Sequence, residues 1–175
     1  MESPEPIKDL IELKISHHRR VWKPFMERYG IRKLAEVGVF RGENFMRMIE
    51  HNPEMAVAVD SWSAETSNDA KLSQDRLDEQ FECFRAMTFN KPFVQINRGL
   101  AAEVAKEYPD NYFDLIYIDG DHSYEGCRKD IVAWLPKVKK FLVGDDYNKP
   151  GVKKAVHEIF KEVYELPRNG WAIIK

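Results

Sequence analysis

The run Phe-Asp-Leu-Ile-Tyr-Ile-Asp-Gly-Asp-His from Phe113 to His122 constrains the fold more than any other part of the chain. Its apolar stretch is continuous rather than alternating, the pattern of a strand covered by helices on both faces. Sheets built from such strands are largely parallel, and their ligands sit at the carboxyl ends of the strands. The run stops at Asp119, Asp121 and His122, so two carboxylates and an imidazole fall at such an end.

The rest of the chain alternates in the same way. A helix is expected over residues 7–29, ending at Gly30. Strands are expected at 34–38, 55–59, 93–97, 113–118 and 141–143. Phe45, Met48 and Ile49 mark one helix between them, and Tyr124, Cys127, Ile131, Trp134 and Leu135 another. Residues 61–92 make a long connection, with room for a helix striped by Leu77, Phe81 and Phe84 and for a mobile lid. Val152, Ala155, Val156, Ile159, Phe160 and Val163 form a last helical stripe with Pro150 near its start. Asn169-Gly170 then predicts a hairpin between strands at 163–166 and 171–174. The expected fold is α/β, a doubly wound, mostly parallel seven-stranded sheet with a C-terminal antiparallel hairpin. Residues 1–175 are expected to form one domain, with a helical cap over 1–30 and the sheet core over 31–175.

That length buries a core without help from disulfides or metals. A formal net charge of -2 gives no electrostatic reason for a nucleic-acid partner. Cys83 and Cys127 lack the spacing of a zinc site. The start, Met-Glu-Ser-Pro-Glu-Pro, has no basic region followed by an apolar one, and no stretch approaches the length of a membrane span. The expectation is a cytoplasmic protein with no membrane partner. An apolar face on the N-terminal helix could make a homodimer or pack on its own sheet.

Glu36-Val-Gly-Val-Phe-Arg-Gly42 joins the first strand to its helix. Glycines at 38 and 42 let the backbone turn tightly and approach a ligand, and the helix start offers free N–H groups. The spacing is not the G-x-G-x-x-G of a dinucleotide site, and the turn carries an acid, Glu36, which suits a cationic or amino-bearing ligand. Asp60 ends the second strand 24 residues beyond Glu36, about where a ribose-binding carboxylate sits in nucleotide-binding α/β folds. Trp62 beside it could stack on a purine. The plainer alternatives are that Asp60 caps a helix and Trp62 belongs to the core.

Asp119-Gly-Asp-His-Ser-Tyr-Glu-Gly-Cys-Arg-Lys-Asp130 also imitates a calcium-binding EF-hand loop. It fails because Tyr124 stands where glycine is needed, the twelfth position is Asp130 rather than Glu, and a strand precedes it. His17, His18, Arg19 and Arg20 form a small basic cluster, read as a solvated helix face or a contact to a substrate phosphate.

Taken together, the glycine turn with Glu36, Asp60, the segment Phe113 to Gly126, and Gly144-Asp-Asp-Tyr147 resemble class I S-adenosylmethionine-dependent methyltransferases. The similarity is to the small-molecule O-methyltransferase branch, macrocin-type and, more distantly, catechol O-methyltransferase-like, and it runs from about Leu34 to the end. The resemblance implies the Rossmann-like methyltransferase fold. It implies that Glu36, Gly38, Phe40 and Gly42 line the amino-acid part of S-adenosylmethionine and that Asp60 binds the ribose hydroxyls. Trp62 or the Arg98-Gly99-Leu100 turn would flank the adenine, and Asp119 would also contact the cofactor. It further implies a divalent metal, magnesium by the all-oxygen donor set, held by Asp119, Asp145 and Asp146. Where catechol enzymes have asparagine, this chain has Asp146, which weakens the case for a catechol acceptor. His122 stands where the related sugar enzymes have a base, and with Asp119 it is the expected catalytic pair. The plain alternative is that His122 caps the next helix. The expected acceptor is a hydroxyl of a small molecule, a sugar among the candidates. Two other readings remain open at this stage, a nicotinamide-dependent Rossmann oxidoreductase and a non-catalytic cofactor-binding subunit.

Overall fold

Every residue of the Phe113–Ile118 strand is buried, as expected of a mostly apolar strand covered on both faces. The structure, a computed structural model, describes residues 3–15, 22–66 and 71–175. Seven strands form among them: β1 (Lys33–Val37), β2 (Met55–Asp60), β3 (Val94–Arg98), β4 (Phe113–Ile118), β5 (Val138–Gly144), β6 (Tyr164–Leu166) and β7 (Gly170–Ile174). They make one sheet in the order β3-β2-β1-β4-β5-β7-β6. The five strands from β3 to β5 are parallel, and β7 runs antiparallel to both β5 and β6. This is the expected doubly wound sheet with its terminal hairpin.

Strand side chains alternate between two cores. Leu34, Ala58, Leu115, Tyr117 and Val143 point to one face, beneath α1 (Glu5–Ile15), α2 (Lys23–Arg28), α3 (Glu43–Met48) and α4 (Gln74–Thr88). Val37, Val59, Ile116, Ile118 and Leu142 point to the other, beneath α5 (Ala101–Val104), α6 (Tyr124–Trp134) and α7 (Pro150–Ile159). Asp114 is a buried exception. Its carboxylate accepts the backbone N–H groups of Arg32 and Lys33 at 2.9 and 3.0 Å, which fixes where β1 begins beside β4.

Three expectations shift. The helix over 7–29 is two helices, because Pro24 has no N–H to continue an earlier helix and suits the first turn of a new one. The basic cluster at residues 17–20 lies outside the described residues. The hairpin turns one residue early: Arg168 and Asn169 carry the positive φ angles (57° and 62°), and Gly170 already pairs with Leu166. Val163 falls beyond α7, whose buried stripe is Val152, Ala155 and Val156.

The N-terminal helices lie on their own sheet. Ile7, Leu10, Phe25 and Met26 are buried there, and the Phe25 ring meets Phe141 edge-on with centroids 5.2 Å apart. No helix among the described residues is long and apolar enough to cross a membrane.

Candidate active site

Hydrogen bonds continue past the strand ends and hold their loops level. Gly38 N–H donates to the Val59 carbonyl (2.8 Å), Asp119 N–H to Val37 (2.7 Å), Gly99 N–H to Asp60 (2.9 Å) and Asp145 N–H to Ile118 (3.1 Å). Above them opens a cleft of about 910 Å3 whose walls include Glu36, Gly38, Phe40, Asp60, Asp119 and His122. It stands at the carboxyl ends of the parallel strands, on either side of the point where the chain reverses from β1 to β4.

The glycine turn meets the next strand's loop at its first residue. Gly38 has φ +87°, and a Cβ there would lie 2.1 Å from the Asp119 carbonyl oxygen, so no side chain fits. Phe40, also left-handed at φ 52°, is 41% exposed at the cleft edge. Left-handed backbone in a bulky residue is strained and persists where surrounding contacts enforce it. Here the Asp60 carboxylate does so, accepting Phe40 N–H (2.8 Å) on one oxygen and Trp62 N–H (2.9 Å) on the other. Asp60 therefore ties the turn to the loop after β2 rather than capping a helix, and each oxygen retains a lone pair for a ligand hydroxyl. Gly42 precedes α3 with its Cα against the Phe84 ring.

Glu36 is 1% exposed, and its Oε1 accepts from Asn44 Nδ2 at 3.0 Å. The Asn44 oxygen in turn accepts from Trp22 Nε1 at 3.0 Å. The N-terminal cap is thus wired to the acid of the glycine turn through Asn44, a residue that sequence reasoning missed. Its only signal was its position in the first turn of α3, one residue after Glu43.

Trp62 lines the cleft, its side chain buried 4.9 Å from Phe81 and stacked 5.8 Å from Phe84, with Nε1 donating to the Phe40 carbonyl. Arg98 is absent from the cleft walls; it donates to the Trp62 carbonyl and to Asp78, and covers the Phe81 ring at 4.8 Å. It braces the loop after β2 against α4. Gly99 and Leu100 of the same turn line the cleft.

The acid cluster also differs from the expected set. Asp119, His122 and Asp146 each offer a donor atom, and these lie within 4.8 Å of one another. Asp146 Oδ2 is 2.8 Å from His122 Nε2, and Asp119 Oδ1 is 3.8 Å from it. Asp145 is not in the group; its Oδ2 accepts from the Tyr117 hydroxyl at 3.1 Å on the opposite core face. The left-handed backbone of Asp146 (φ 56°) turns its carboxylate toward the histidine instead. The Asp119 carboxylate, then the charge of Asp146, raise the His122 pKa above its ordinary 6.5, against burial and the charge of Lys149. Lys149 Nζ lies 3.4 Å from His122 Nδ1 and 3.9 Å from Asp146, a second basic group that the sequence did not single out. Ser123, not His122, caps α6, accepting Gly126 N–H at 3.1 Å.

Asp121 and Asp130 shape the loop between these groups. Asp121 Oδ1 accepts Ser123 N–H (2.8 Å), and its carboxylate fills the space over Gly126, where a Cβ would be 2.0 Å away. Asp130 is buried below, its pKa pushed up to about 7 by burial first and then by the Asp121 charge, while the Asp121 backbone N–H pulls it down. A raised carboxyl contributes its full stability below the unfolded value of 3.8 and loses it as pH climbs through about 7. Asp130→Asn, which keeps an acceptor for Asp121 N–H, is therefore expected to raise the melting temperature at pH 8 by roughly 3 °C or more, and by far less at pH 5. Equal shifts at both pH values in thermal melts would show that Asp130 carries no such strain.

A family model described as a methyltransferase domain matches residues 35–147, well over half of the chain. No curated protein sequence matches. Among solved structures, a putative caffeoyl-CoA O-methyltransferase from Staphylococcus aureus superposes with TM-score 0.64 at 15% identity, covering 100% of this chain and 85% of that one. An O-methyltransferase from Bacillus cereus in complex with SAH gives 0.59 at 13% identity, covering 100% and 93%. Spermidine synthase from Thermotoga maritima gives 0.55 at 15%, covering 94% of this chain but only 58% of its own. At these identities the likenesses establish the fold.

Proposed function

Since the chain belongs to the methyltransferase domain family, we propose that it transfers the methyl group of S-adenosylmethionine to a hydroxyl of a small molecule. The observation that carries the reading is one cleft joining Glu36 and the glycine turn, Asp60, Asp119 and His122, with Asp146 beside the histidine. The fold alone does not fix the reaction, because a spermidine synthase shares it. The cofactor is supported by the SAH-bound Bacillus cereus enzyme and by the chemistry of the walls, where buried carboxylates suit a ligand bearing ammonium and sulfonium charges. No observation favours the nicotinamide alternative, whose glycine pattern is missing.

S-adenosylmethionine supplies a methyl carbon made electrophilic by its sulfonium. The protein's share is to bind, orient and deprotonate. Glu36 faces the amino group, Asp60 the ribose hydroxyls, and Gly99 with Leu100 the adenine. His122 takes the proton of the acceptor hydroxyl, and Asp119 and Asp146 hold the imidazole ring and stabilise its charged form. Orientation of the acceptor against the donor supplies much of the acceleration.

A second reading has its own support. His122 Nε2 is buried without an aligned hydrogen bond, although Asp146 lies close, and the three donor atoms are grouped tightly enough to bind one ion. Asp119, His122 and Asp146 would then hold a divalent metal, which supplies charge to neutralise the hydroxyl as it ionises. With an imidazole in the set, manganese, iron or zinc fits better than the magnesium expected of oxygen ligands alone.

Calorimetric titration with S-adenosylhomocysteine is expected to give micromolar binding, with none for NADH. Absence of binding, or tight NADH binding, would overturn the methyltransferase reading. Repeating turnover after chelation separates the other two: activity lost on EDTA treatment and restored by manganese selects the metal, and unchanged activity selects the free histidine base.

A further inference from the structure

A second cavity, of about 440 Å3, opens beside the glycine turn between it and α4, walled by Arg41, Leu72, Arg76, Glu79, Gln80 and Cys83. It shares Arg41 and Leu72 with the main cleft, so the two spaces adjoin at the glycine turn. Nearly every other arginine of the described residues is engaged by a carboxylate: Arg28, Arg32, Arg47, Arg85, Arg98 and Arg128 each sit within 4.0 Å of one. Arg41 has only the Phe40 ring, 5.3 Å away, and the Arg76 guanidinium has no ion pair among the described residues. Glu79 shares their wall without pairing with either. Gln80 Oε1 is buried with no hydrogen-bond partner among the described residues.

Two exposed guanidiniums without a carboxylate partner among the described residues line one surface, and their planar donors match the oxygens of a phosphate. The neighbouring carboxylate and the unpaired amide oxygen are acceptors, which suit hydroxyl donors on the same molecule. We propose that this cavity takes the phosphate of a phosphorylated, polyhydroxylated methyl acceptor, a sugar phosphate in chemical class, bound by Arg41 and Arg76. Its free hydroxyl reaches back along the shared cleft toward His122. The inference rests on the methyltransferase reading, since it identifies the acceptor of that same site.

The cavity carries its own reporter. Cys83 is exposed on its wall, whereas the only other cysteine, Cys127, is buried with its thiol pushed up to about 12 by burial. Alkylation by an uncharged maleimide therefore reads one site. Ribose 5-phosphate, in the presence of S-adenosylhomocysteine, is expected to slow Cys83 labelling about tenfold or more, and ribose is expected to leave it unchanged. Arg76→Gln is expected to abolish that protection while S-adenosylhomocysteine still binds, because Arg76 is not a wall of the main cleft; Arg76→Lys should restore it in part. Protection by ribose equal to that by its phosphate, or protection that survives Arg76→Gln, overturns the inference. So does protection by S-adenosylhomocysteine alone, which would assign the cavity to the cofactor. Failure of S-adenosylhomocysteine to bind the unaltered protein in calorimetry overturns the function reading instead, so the two failures are distinguishable.

Discussion

His122→Ala is expected to lower kcat by about 10²–10⁴-fold while the affinity for S-adenosylhomocysteine changes by no more than about threefold. The split follows from where the imidazole stands. Its Nε2 is beside Asp146 and Asp119, at the acceptor end of the cleft, and none of its contacts reaches the glycine turn or Asp60. The pH dependence sharpens the test. A base must be neutral to accept a proton, and Asp119 with Asp146 raise the value at which His122 becomes neutral above 6.5. The acid limb of kcat/KM is therefore expected above pH 6.5, and Asp146→Asn, which removes one of the two charges, should move it down. The same sign governs stability: this imidazole contributes fully below pH 6.5 and its contribution is lost as pH rises through its folded value. Full turnover by His122→Ala, in an assay following labelled methyl transfer, would remove the histidine from the chemistry. Loss of cofactor binding in step with kcat would make its role structural.

The sheet was legible because its evidence is repeated locally. The central strands β2 and β4 are mostly apolar and buried, and β4 lacks the polar alternation that would suggest a solvent face. The short helix α5, of four residues, carries no period to detect and was not anticipated. At the site, strand ends fixed the neighbourhood of Glu36, Asp60, Asp119 and Asp146, since topology alone brings them to one edge. Which way each side chain turns was not legible. Asp145 and Asp146 are adjacent, yet a left-handed φ at the second sends the two carboxylates to different partners, Tyr117 and His122. Trp62 follows the ribose acid, and whether its ring stacks on a ligand or joins the core is decided by Phe81 and Phe84 of α4, which pack against it. Contacts of that kind are made by tertiary packing, and no local pattern records them.

Gly38→Ala is expected to cost about 3–5 kcal/mol of stability and to abolish cofactor binding. The added Cβ would lie 2.1 Å from the Asp119 carbonyl oxygen and 2.6 Å from Gly120 Cα, backbone atoms that cannot rotate away. Relief by separation is blocked on both sides, because Asp119 N–H bonds the Val37 carbonyl at 2.7 Å and Gly38 N–H bonds Val59 at 2.8 Å. The φ of +87° adds a conformational penalty that alanine cannot avoid. Any adjustment must therefore move the β1 turn away from the β4 loop, and with it Glu36 and Phe40 away from Asp119 and His122. Gly99→Ala is the control: its Cβ would meet only Val104 Cγ2 at 3.4 Å, so stability should fall by less than about 1 kcal/mol. Urea denaturation and calorimetry on both variants decide the matter. If Gly38→Ala unfolds at the same midpoint as Gly99→Ala and still binds S-adenosylhomocysteine, the two loops are not held in contact, and the cleft cannot depend on their close approach.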